Sequence, residues 1–389
     1  MIKKICVVTS NRADFGQLYW LIDKIDKDSQ LTLQLIVTGS HLSPDFGNTV
    51  LEIINSGFKI DKQIDIQVSS ESSVHICKSM GLAQIYFAEA FEQLSPDVVI
   101  ILGDRSEMLS IASAALIMGI PIAHLHGGEI TEGAYDDSIR HAITKMSSLH
   151  FTSTDIYRRR VIQMGENPDT VFNVGALAIE SVLNLKLLDR KEFEESIHSR
   201  LMERNFLVTF HPMTTDSLET TEAQIKEMLN ALDCYDRTKF IFTYPNSDKN
   251  GVIIRQRMEE YVLKNPNKAV VFKSLGQIRY LSALKHVDLV IGNSSSGILE
   301  APALNTPTVN IGDRQKGRIL GPTIFNCQPE KEAICNAIDK ALNAKAEEWK
   351  HPYGDGNTSV RILEILKSID EIKSRKTFFD IELNNESKG

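Results

Sequence analysis

Residues 97–107 have the sequence DVVIILGDRSE, in which an unbroken apolar run is followed at once by a glycine and four polar residues. A strand that is apolar along its whole length is typical of a parallel sheet with helices on both faces. The residues before it carry apolar side chains at helical spacing, and Ser95-Pro96 ends that pattern. This stretch therefore predicts a helix, a buried strand and a polar loop at the carboxyl end of the strand.

The alternation of strand and helix patterns continues on both sides of this stretch. Apolar runs that predict strands occur at 5–9, 35–38, 121–124, 149–152, 206–210, 240–243, 269–272, 288–291 and 308–311. The sequence therefore predicts an α/β protein with two domains of similar size that face each other across a cleft. Ligands of parallel sheets bind beyond the carboxyl ends of the strands, which directs attention to the residues that follow each strand.

A charged, helical stretch without a strand pattern separates the two halves of the chain. We expect an N-terminal α/β domain over residues 1–175, a helical connection over 176–204 and a C-terminal α/β nucleotide-binding domain over 205–356. We expect the chain to end with a helix at 357–375 and a tail at 376–389.

Composition limits the classes of function. The 389 residues carry a net charge of −8, which disfavours binding to nucleic acid or to an anionic membrane. No apolar run reaches the roughly 18 residues of a transmembrane helix, and the N-terminus shows no signal-peptide pattern. The five cysteines are far apart and form no CxxC pair, which favours free thiols in a reducing compartment. We therefore expect a cytoplasmic protein.

Two loops of the first half place polar groups directly after predicted strands. Arg12 lies where the first strand gives way to a helix, and its guanidinium could bind a diphosphate or pair with Asp14. Asp104, after the buried strand, could be a catalytic carboxylate or the N-cap of the next helix. The residues alone leave both alternatives open.

A third loop has the sequence HLHGGE at residues 124–129. Strand alternation places His124 and His126 on the same side of the backbone, and such a pair can bind a metal. No HExxH motif or Cys/His cluster accompanies them, so the sequence favours acid–base catalysis by His126 or Glu129 and predicts no metal site.

A helix pattern begins at residues 136–141, whose sequence is DDSIRH. Asp136 with Arg140, and Asp137 with His141, have the i,i+4 spacing of surface ion pairs, and the motif in isolation indicates no more than that. A catalytic role gains support because three successive strand ends each supply acid–base groups within one half of the chain.

The second half carries a different chemistry. His211 and Asn246 follow predicted strands, and residues 292–300, GNSSSGILE, form a hydroxyl-rich loop that opens a helix. Such a loop offers backbone amides, hydroxyls and the helix dipole to a phosphate. Glu300 could accept both hydroxyls of a ribose, and Arg314 could neutralise phosphate charge; the alternative is a serine-rich N-cap with a dipole-favoured glutamate. The chain has no GxxxxGK[ST] or GxGxxG motif, which disfavours ATP hydrolysis and dinucleotide binding.

Taken in order, these motifs resemble the hydrolysing UDP-N-acetylglucosamine (UDP-GlcNAc) 2-epimerases over nearly the whole chain. The motifs are RADFG at 12–16, LGDR at 102–105, HGGE at 126–129, YDDSIRHAITK at 135–145, TFHP at 209–212 and GNSSSG at 292–297. That family has the glycosyltransferase-B architecture of two Rossmann-like domains around a cleft. The resemblance implies the same fold here, with the last helix crossing back onto the first domain.

The resemblance also implies a reaction. UDP-GlcNAc and water would give N-acetylmannosamine and UDP, for the biosynthesis of sialic-type acids. Loss of UDP from C1 and of the proton from C2 would form 2-acetamidoglucal, and water would then add to this glycal with protonation at C2 from the opposite face. We expect no cofactor and no metal.

Residue by residue, the resemblance implies catalytic roles for Asp104, His126, Glu129, Asp136 and His211. The substrate-binding residues that it implies are Arg12, Arg105, Asn246, Ser294, Ser295, Glu300 and Arg314. Many members of the family have a glutamate at the position of His126. In this chain either the imidazole or Glu129 would therefore move the C2 proton.

The residues leave several alternatives open. The substrate could be UDP-2,4-diacetamido-2,4,6-trideoxyglucose, of the legionaminic acid route, and the base could be uracil or guanine. The protein could also be a glycosyltransferase of the same architecture, or a nucleotide-sugar sensor without chemistry. We expect a nucleotide-sugar ligand, no nucleic-acid or membrane partner, and a homo-oligomer, either a dimer or a tetramer.

Overall fold

The computed structural model describes residues 3–44, 47–66, 73–131, 135–213, 216–245, 250–344 and 352–381. The chain divides into two compact units. The first unit comprises Met1–Ser181 and Tyr353–Gly389, and the second comprises Val182–Pro352. Each unit has one parallel sheet with helices between successive strands, so the predicted α/β class with two Rossmann-like units is confirmed.

Among the described residues, the first unit has a seven-stranded sheet in the order β3-β2-β1-β4-β5-β6-β7. Its strands are β1 (Lys3–Thr9), β2 (Leu31–Thr38), β3 (Lys62–Ile64), β4 (Val98–Leu102), β5 (Ile122–Leu125), β6 (Leu149–Thr152) and β7 (Val171–Asn173). Its helices are α1 (Arg12–Lys27), α2 (Val50–Asn55), α3 (Ser73–Leu94), α4 (Ser106–Ile117), α5 (Tyr135–Met146), α6 (Asp155–Gln163), α7 (Leu177–Asn184), which ends in the second unit, and α14 (Thr358–Ser368).

The central strand β4 explains why this sheet is covered on both faces. Val98, Ile100 and Leu102 belong to one hydrophobic core, whereas Val99 and Ile101 belong to a second core. Successive side chains of a strand point to opposite faces, so each face of the sheet has its own core. The prediction of a strand buried along its whole length is confirmed.

The chain returns to the first unit after it has formed the second. Helix α14 packs on α1, and Ile362 and Leu366 join the core that contains Leu18 and Ile22. A fully buried aliphatic side chain contributes roughly 1.5–3 kcal/mol, so these contacts hold the returning segment firmly.

The second unit has, in the described part of the chain, a six-stranded parallel sheet in the order β10-β9-β8-β11-β12-β13. The strands are β8 (Arg204–Thr209), β9 (Thr238–Thr243), β10 (Ala269–Phe272), β11 (Leu289–Gly292), β12 (Thr308–Ile311) and β13 (Ile324–Cys327). The helices are α8 (Arg190–Ser196), α9 (Leu218–Leu232), α10 (Gly251–Lys264), α11 (Gly276–His286), α12 (Ser296–Ala303) and α13 (Lys331–Asn343).

The sequence patterns predict one of the four edge strands, β10, and miss the other three, β3, β7 and β13. Each has three or four residues, with the sequences KQI, VFN and IFNC. An edge strand is paired on one side only, so it does not need the apolar run that marks a buried strand.

The strand order creates one switch point in each sheet. In the first unit β1 lies beside β4, and in the second β8 lies beside β11. The chain leaves these neighbouring strands in opposite directions, and their carboxyl ends leave a crevice in which α/β proteins bind ligands. The residues after β1 and β4, and after β8 and β11, are those that the sequence patterns identify.

Candidate active site

The loop after β1 places Arg12 at the start of α1. Asn11 caps the helix by accepting a hydrogen bond of 3.0 Å from the backbone N–H of Asp14. The Arg12 Nε lies 3.2 Å from a carboxylate oxygen of Glu52 on α2, and the side chain is 42% exposed. The alternative of an Arg12–Asp14 pair is therefore wrong, because the ion-pair partner is Glu52.

Asp14 belongs instead to a half-buried polar cluster at the switch point. Its carboxylate accepts hydrogen bonds from Ser10 Oγ at 2.9 Å and from Asn11 Nδ2 at 2.6 Å. Burial raises the pKa of Asp14 to about 6; Arg105 opposes this shift, and the Glu107 carboxylate adds to it. Arg105 itself pairs with Glu107 at 2.7 Å. Arg105 therefore lies near two carboxylates, those of Glu107 and Asp14.

Asp104 forms an ion pair with the buried Arg140 of α5. The guanidinium of Arg140, which is 4% exposed, donates to the Asp104 carboxylate and to the backbone oxygen of Glu129 at 2.8 Å. It also donates to Thr131 Oγ1 at 3.0 Å. Of the two ion pairs in the alternative interpretation, Asp137–His141 is present, with His141 Nε2 3.4 Å from Asp137 Oδ2. The Asp136–Arg140 pair is wrong, because Arg140 is buried and pairs with Asp104 and Asp137. The N-cap alternative for Asp104 is also wrong, because the cap residue of α4 is Arg105.

The two histidines of the third loop have different environments. His124, at 0% exposure, lies 2.8 Å by its Nε2 from the backbone oxygen of Gly103 and 3.1 Å by its Nδ1 from Thr144 Oγ1. Burial lowers the pKa of His124 to about 3, so its imidazole is neutral. β5 ends at Leu125, and His126 has a φ of 65° in the left-handed region. The alternation argument that placed His124 and His126 on the same side of the backbone therefore does not hold, because His126 lies outside the strand.

His126 and Glu129 form a buried acid–base pair. His126 Nδ1 lies 3.2 Å from Glu129 Oε1, and the two side chains are 12% and 10% exposed. The same glutamate oxygen accepts a hydrogen bond of 2.9 Å from Ser153 Oγ. Within the described residues, the buried Nε2 of His126 has no hydrogen-bond partner. The carboxylate thus fixes the ring through Nδ1 and leaves Nε2 for a ligand, which is the arrangement of a histidine that transfers protons.

Asp136 completes the polar groups of the first unit. It lies in the first turn of α5. Burial and the neighbouring Asp104 carboxylate raise the pKa of Asp136, while Arg140 and Arg105 oppose the shift. A raised pKa lets the Asp136 carboxyl group retain a proton that it can donate, as a catalytic acid requires.

In the second unit, Asn293 joins the ends of β8 and β11. Its Oδ1 accepts a hydrogen bond of 2.7 Å from the backbone N–H of His211, and its Nδ2 donates to the His211 carbonyl at 2.8 Å. Burial, with Arg314 nearby, lowers the pKa of the His211 imidazole to about 3. A bound diphosphate would oppose this shift by supplying negative charge.

The serine-rich loop begins helix α12. Ser294 and Ser295 are half-buried, and Ser295 is the N-cap residue of the helix. Glu300 lies one turn further on, where burial raises the pKa of its carboxyl group. Burial and the Glu300 carboxylate together raise the pKa of Tyr280, on α11, to about 12.

Two residues after β12 reach back to this loop. Arg314 Nη1 donates to the backbone oxygen of Asn293 at 3.1 Å, and Gln315 Nε2 donates to the same oxygen at 2.8 Å. The arrangement therefore places Arg314 and His211 on either side of Asn293. Asn246, the remaining predicted binding residue, lies outside the described residues.

The sequence patterns do not identify Arg140, Asn293, Gln315 or Tyr280 as site residues. Arg140 and Asn293 lie within the motifs YDDSIRHAITK and GNSSSG, so the motifs contain the signal, but spacing alone cannot show which side chains turn inward. Gln315 and Tyr280 contact the loop from other elements. In the described part of the chain, no group of three or more His, Cys, Asp or Glu side chains is placed to hold a metal ion.

Comparison with known proteins gives a consistent result. Residues 23–367 match the family model described as UDP-N-acetylglucosamine 2-epimerase. The chain is 45% identical to the GDP/UDP-N,N'-diacetylbacillosamine 2-epimerase (hydrolyzing) of Campylobacter jejuni, over 90% of this chain and 89% of that protein. It is 39% identical to the polysialic acid biosynthesis protein P7 of Escherichia coli, over 98% of both chains. It is 35% identical to the UDP-N,N'-diacetylbacillosamine 2-epimerase (hydrolyzing) of Legionella pneumophila, over 95% of this chain and 97% of that protein.

The fold is similar to that of solved structures in the same group. The UDP-GlcNAc 2-epimerase of Neisseria meningitidis, bound to UDP-GlcNAc, superposes with a TM-score of 0.80 at 19% identity, covering 94% of this chain and 100% of that chain. The glycosyltransferase-B-like architecture is thereby confirmed. Of the helices that the structure describes, none is both long enough and apolar enough to span a bilayer.

Proposed function

The chain belongs to the hydrolysing UDP-N-acetylglucosamine 2-epimerase family and is an enzyme that acts on nucleotide sugars, and from this we propose that its substrate is a nucleoside-diphosphate N,N'-diacetylbacillosamine. That sugar is 2,4-diacetamido-2,4,6-trideoxyglucose. The proposal is supported by the two relatives, 45% and 35% identical, whose names give this sugar. The products would be 2,4-diacetamido-2,4,6-trideoxymannose and the nucleoside diphosphate.

UDP-GlcNAc is the second candidate substrate. The family model carries its name, and the 39% identical polysialic acid protein supports a role in sialic acid biosynthesis. The two sugars differ at C4, where an acetamido group replaces a hydroxyl, and at C6, where a methyl group replaces a hydroxymethyl group. A site that hydrogen-bonds the missing hydroxyls would reject the deoxy sugar strongly, so the enzyme should prefer one of the two.

We propose that the reaction is an elimination followed by a hydration. In the first step the C1–O bond to the diphosphate breaks and the C2 proton leaves, so that a C1=C2 double bond forms. In the second step a water oxygen bonds to C1 and a proton adds to C2 from the opposite face. The observation that carries this proposal is the His126–Glu129 pair near the end of β5, in the same unit as Asp136, whose pKa is raised by burial and by the Asp104 carboxylate.

The contacts in the first unit support the roles that we propose for its residues. Glu129 orients His126 and stabilises the imidazolium that forms when Nε2 removes the C2 proton. Asp136, whose pKa is raised, returns a proton to C2 from the other face. Asp104, fixed by Arg140, would orient the water or stabilise positive charge at C1.

The second unit would bind the leaving group. Ser294, Ser295 and the amino terminus of α12 would donate to the phosphates, and Arg314 would neutralise their charge. Glu300 would accept from the ribose hydroxyls. His211 would act as a hydrogen-bond donor to the departing oxygen, since its low pKa favours the neutral imidazole. Arg12, Arg105 and Asn246 would complete the nucleotide contacts.

We propose that no metal ion or cofactor takes part and that the protein works in the cytoplasm as a homo-oligomer.

A substrate panel in D₂O tests the proposed function. UDP- and GDP-linked N,N'-diacetylbacillosamine, UDP-GlcNAc and GDP-linked N-acetylglucosamine would be incubated with the enzyme, and the sugars identified by mass and NMR. We expect a manno-configured product from the diacetamido sugar that carries one deuterium at C2. Turnover of UDP-GlcNAc alone would favour the second candidate, and transfer to an acceptor without C2 deuterium would indicate a glycosyltransferase. Binding without release of the nucleoside diphosphate would indicate a sensor. Activity that survives EDTA is expected.

A further inference from the structure

We propose that Lys376, near the end of the chain, is a positioning residue for catalysis, because it fixes the helix that carries Asp136 and Arg140. The proposal rests on the function proposed above. The residues from 373 to 381 follow α14 and are called the C-terminal strap here. The strap lies in the first unit with α5 and α6.

The ammonium group of Lys376 caps the carboxyl end of α5. Its Nζ donates to the backbone oxygen of Ser147 at 2.6 Å and to that of Thr144 at 3.3 Å. The last carbonyl groups of a helix have no partner within the helix and carry its negative dipole charge. A lysine more than two hundred residues further along the chain thus donates hydrogen bonds to the carbonyl groups at the end of α5.

Lys376 also binds the buried carboxylate of Glu166. Glu166, whose side chain is 1% exposed, accepts hydrogen bonds from Lys376, from Lys145 at 2.6 Å and from His150 Nε2 at 3.0 Å. Burial alone would raise the pKa of Glu166, but the hydrogen bonds from His150, Lys145 and Lys376 outweigh burial and lower it to about 2. The carboxylate is therefore ionised, and the Lys376 side chain, 29% exposed, is held beside it.

The strap has a second attachment next to the first. The backbone N–H of Phe379 donates to the Gly165 oxygen at 3.0 Å. The ring of Phe378 lies so close to Gly165 that a Cβ on this glycine would come within 2.3 Å of it, and Lys145 Nζ is 5.0 Å from the ring centroid. Gly165 also has a φ of +87°. The strap therefore follows a defined path across the end of α6.

Contacts lead from this attachment to the candidate catalytic groups. Thr144, whose carbonyl accepts from Lys376, is 3.1 Å by its hydroxyl from His124 Nδ1, and His124 Nε2 is 2.8 Å from the backbone oxygen of Gly103. Asp104 follows directly after Gly103. One turn before Thr144 along α5, Arg140 binds Asp104. Lys376 thus holds a helix that contacts the Asp104 loop directly through Arg140 and indirectly through His124.

A small shift of α5 would have a large effect on the reaction. Proton-transfer groups need placement to within a fraction of an ångström, and a misplacement of about 1 Å can reduce the rate by about 10²-fold. Lys376 is not needed for the hydrophobic cores of this unit, because the strap is mostly exposed and α14 already anchors the returning chain. Its loss should therefore affect catalysis more than folding.

The test compares Lys376→Met and Lys376→Arg with the control Lys373→Met, an exposed position of the same strap. We expect Lys376→Met to lower kcat by about tenfold or more, while KM and the Kd for UDP change by less than about twofold. Lys376→Arg, which keeps the charge, should recover most of kcat, and Lys373→Met should match the wild type. An unchanged kcat in Lys376→Met, or a parallel loss of UDP binding and kcat, would overturn the proposal.

Hydrogen exchange gives a measurement that does not depend on the substrate. The amides of α5 should exchange faster in Lys376→Met than in the wild type, whereas those of β8 to β12 in the second unit should not change. Unchanged exchange in α5 would contradict the proposal even if the proposed function is correct. A wild-type protein that turns over no nucleotide sugar would refute the proposed function, and the exchange experiment would still decide whether Lys376 fixes α5.

A second variant serves if Lys376→Met fails to fold. Phe379→Pro removes the backbone N–H that donates to the Gly165 oxygen, and it should also make the amides of α5 exchange faster.

Discussion

The guanidinium of Arg140, in the middle of α5, is bonded to the carboxylate of Asp104 at the carboxyl end of β4. The pair joins two of the candidate proton-transfer segments of the first unit, because Arg140 also contacts the backbone of Glu129. A buried guanidinium with several acceptors is oriented by all of them at once. We therefore expect a substitution of Asp104 to lower turnover while leaving UDP binding largely unchanged.

Asp104→Asn should bind UDP nearly normally and lose turnover. We expect kcat to fall by at least about 10²-fold, the range of a lost acid–base or charge-stabilising group, with the Kd for UDP within about twofold of the wild type. Steady-state kinetics and calorimetry measure the two quantities. Asp155→Asn, at an exposed carboxylate of α6, is the matched control. Loss of UDP binding in Asp104→Asn would contradict the assigned role.

Glu300→Ala should weaken UDP binding by about one to two orders of magnitude, as expected for lost hydrogen bonds to a charged acceptor. The loss should shrink when 2′,3′-dideoxy-UDP replaces UDP, because the ligand then has no ribose hydroxyls to donate. Calorimetric titration of both ligands into both proteins forms a double-mutant cycle. An unchanged Kd for UDP would support the alternative of a dipole-favoured glutamate without a binding role.

Asn293→Ala should disturb the second unit at its switch point. The change leaves the backbone N–H and carbonyl of His211 without their bonds to Asn293, at a cost of about 1–3 kcal/mol for each buried group. We expect a lower free energy of unfolding, measured by urea titration, together with weaker UDP binding. Asn343→Ala, at an exposed position on α13, serves as the control and should change neither quantity.

Asp14 should make the stability of the protein depend on pH. Its pKa is raised from 3.8 to about 6, so the folded state binds a proton between these values that the unfolded state does not bind. The free energy of unfolding should therefore fall as the pH rises through this window, by about 2–3 kcal/mol for this group. Asp14→Asn should flatten the slope and be more stable than the wild type at pH 8. Asp26→Asn, at an exposed position on the same helix, should retain the wild-type slope.

The local sequence predicts the buried strands and the loops that follow them, because both have a recognisable residue pattern. Five consecutive apolar residues before Gly103 identify β4, and the glycine and serine residues after β11 identify a loop that opens a helix. The short edge strand β3 carries no such signal, because a strand that is paired on one side only does not need an apolar run. Family resemblance predicts which motifs matter. It does not show that Arg140 forms its ion pair with Asp104 rather than with its i,i+4 neighbour Asp136.

The remaining features of the site depend on long-range contacts. Asn293 links two strand ends that are about eighty residues apart in sequence, and Lys376 reaches α5 across most of the chain. The role of neither residue can be predicted from the spacing of motifs, because the partners of both in these contacts are backbone groups, which every sequence has. These contacts become visible only when the sheet order and the return of the chain after the second unit are known.

The discontinuity of the first unit has a consequence for synthesis on the ribosome. Translation supplies residues 353–381 after the whole second unit, so α14 and the strap can reach their sites in the first unit only once the second unit has been synthesised. A prematurely ended product would expose the apolar face of α1 that α14 covers and would leave the carbonyl groups at the end of α5 uncapped. Cellular proteases could then distinguish incomplete chains from finished enzyme.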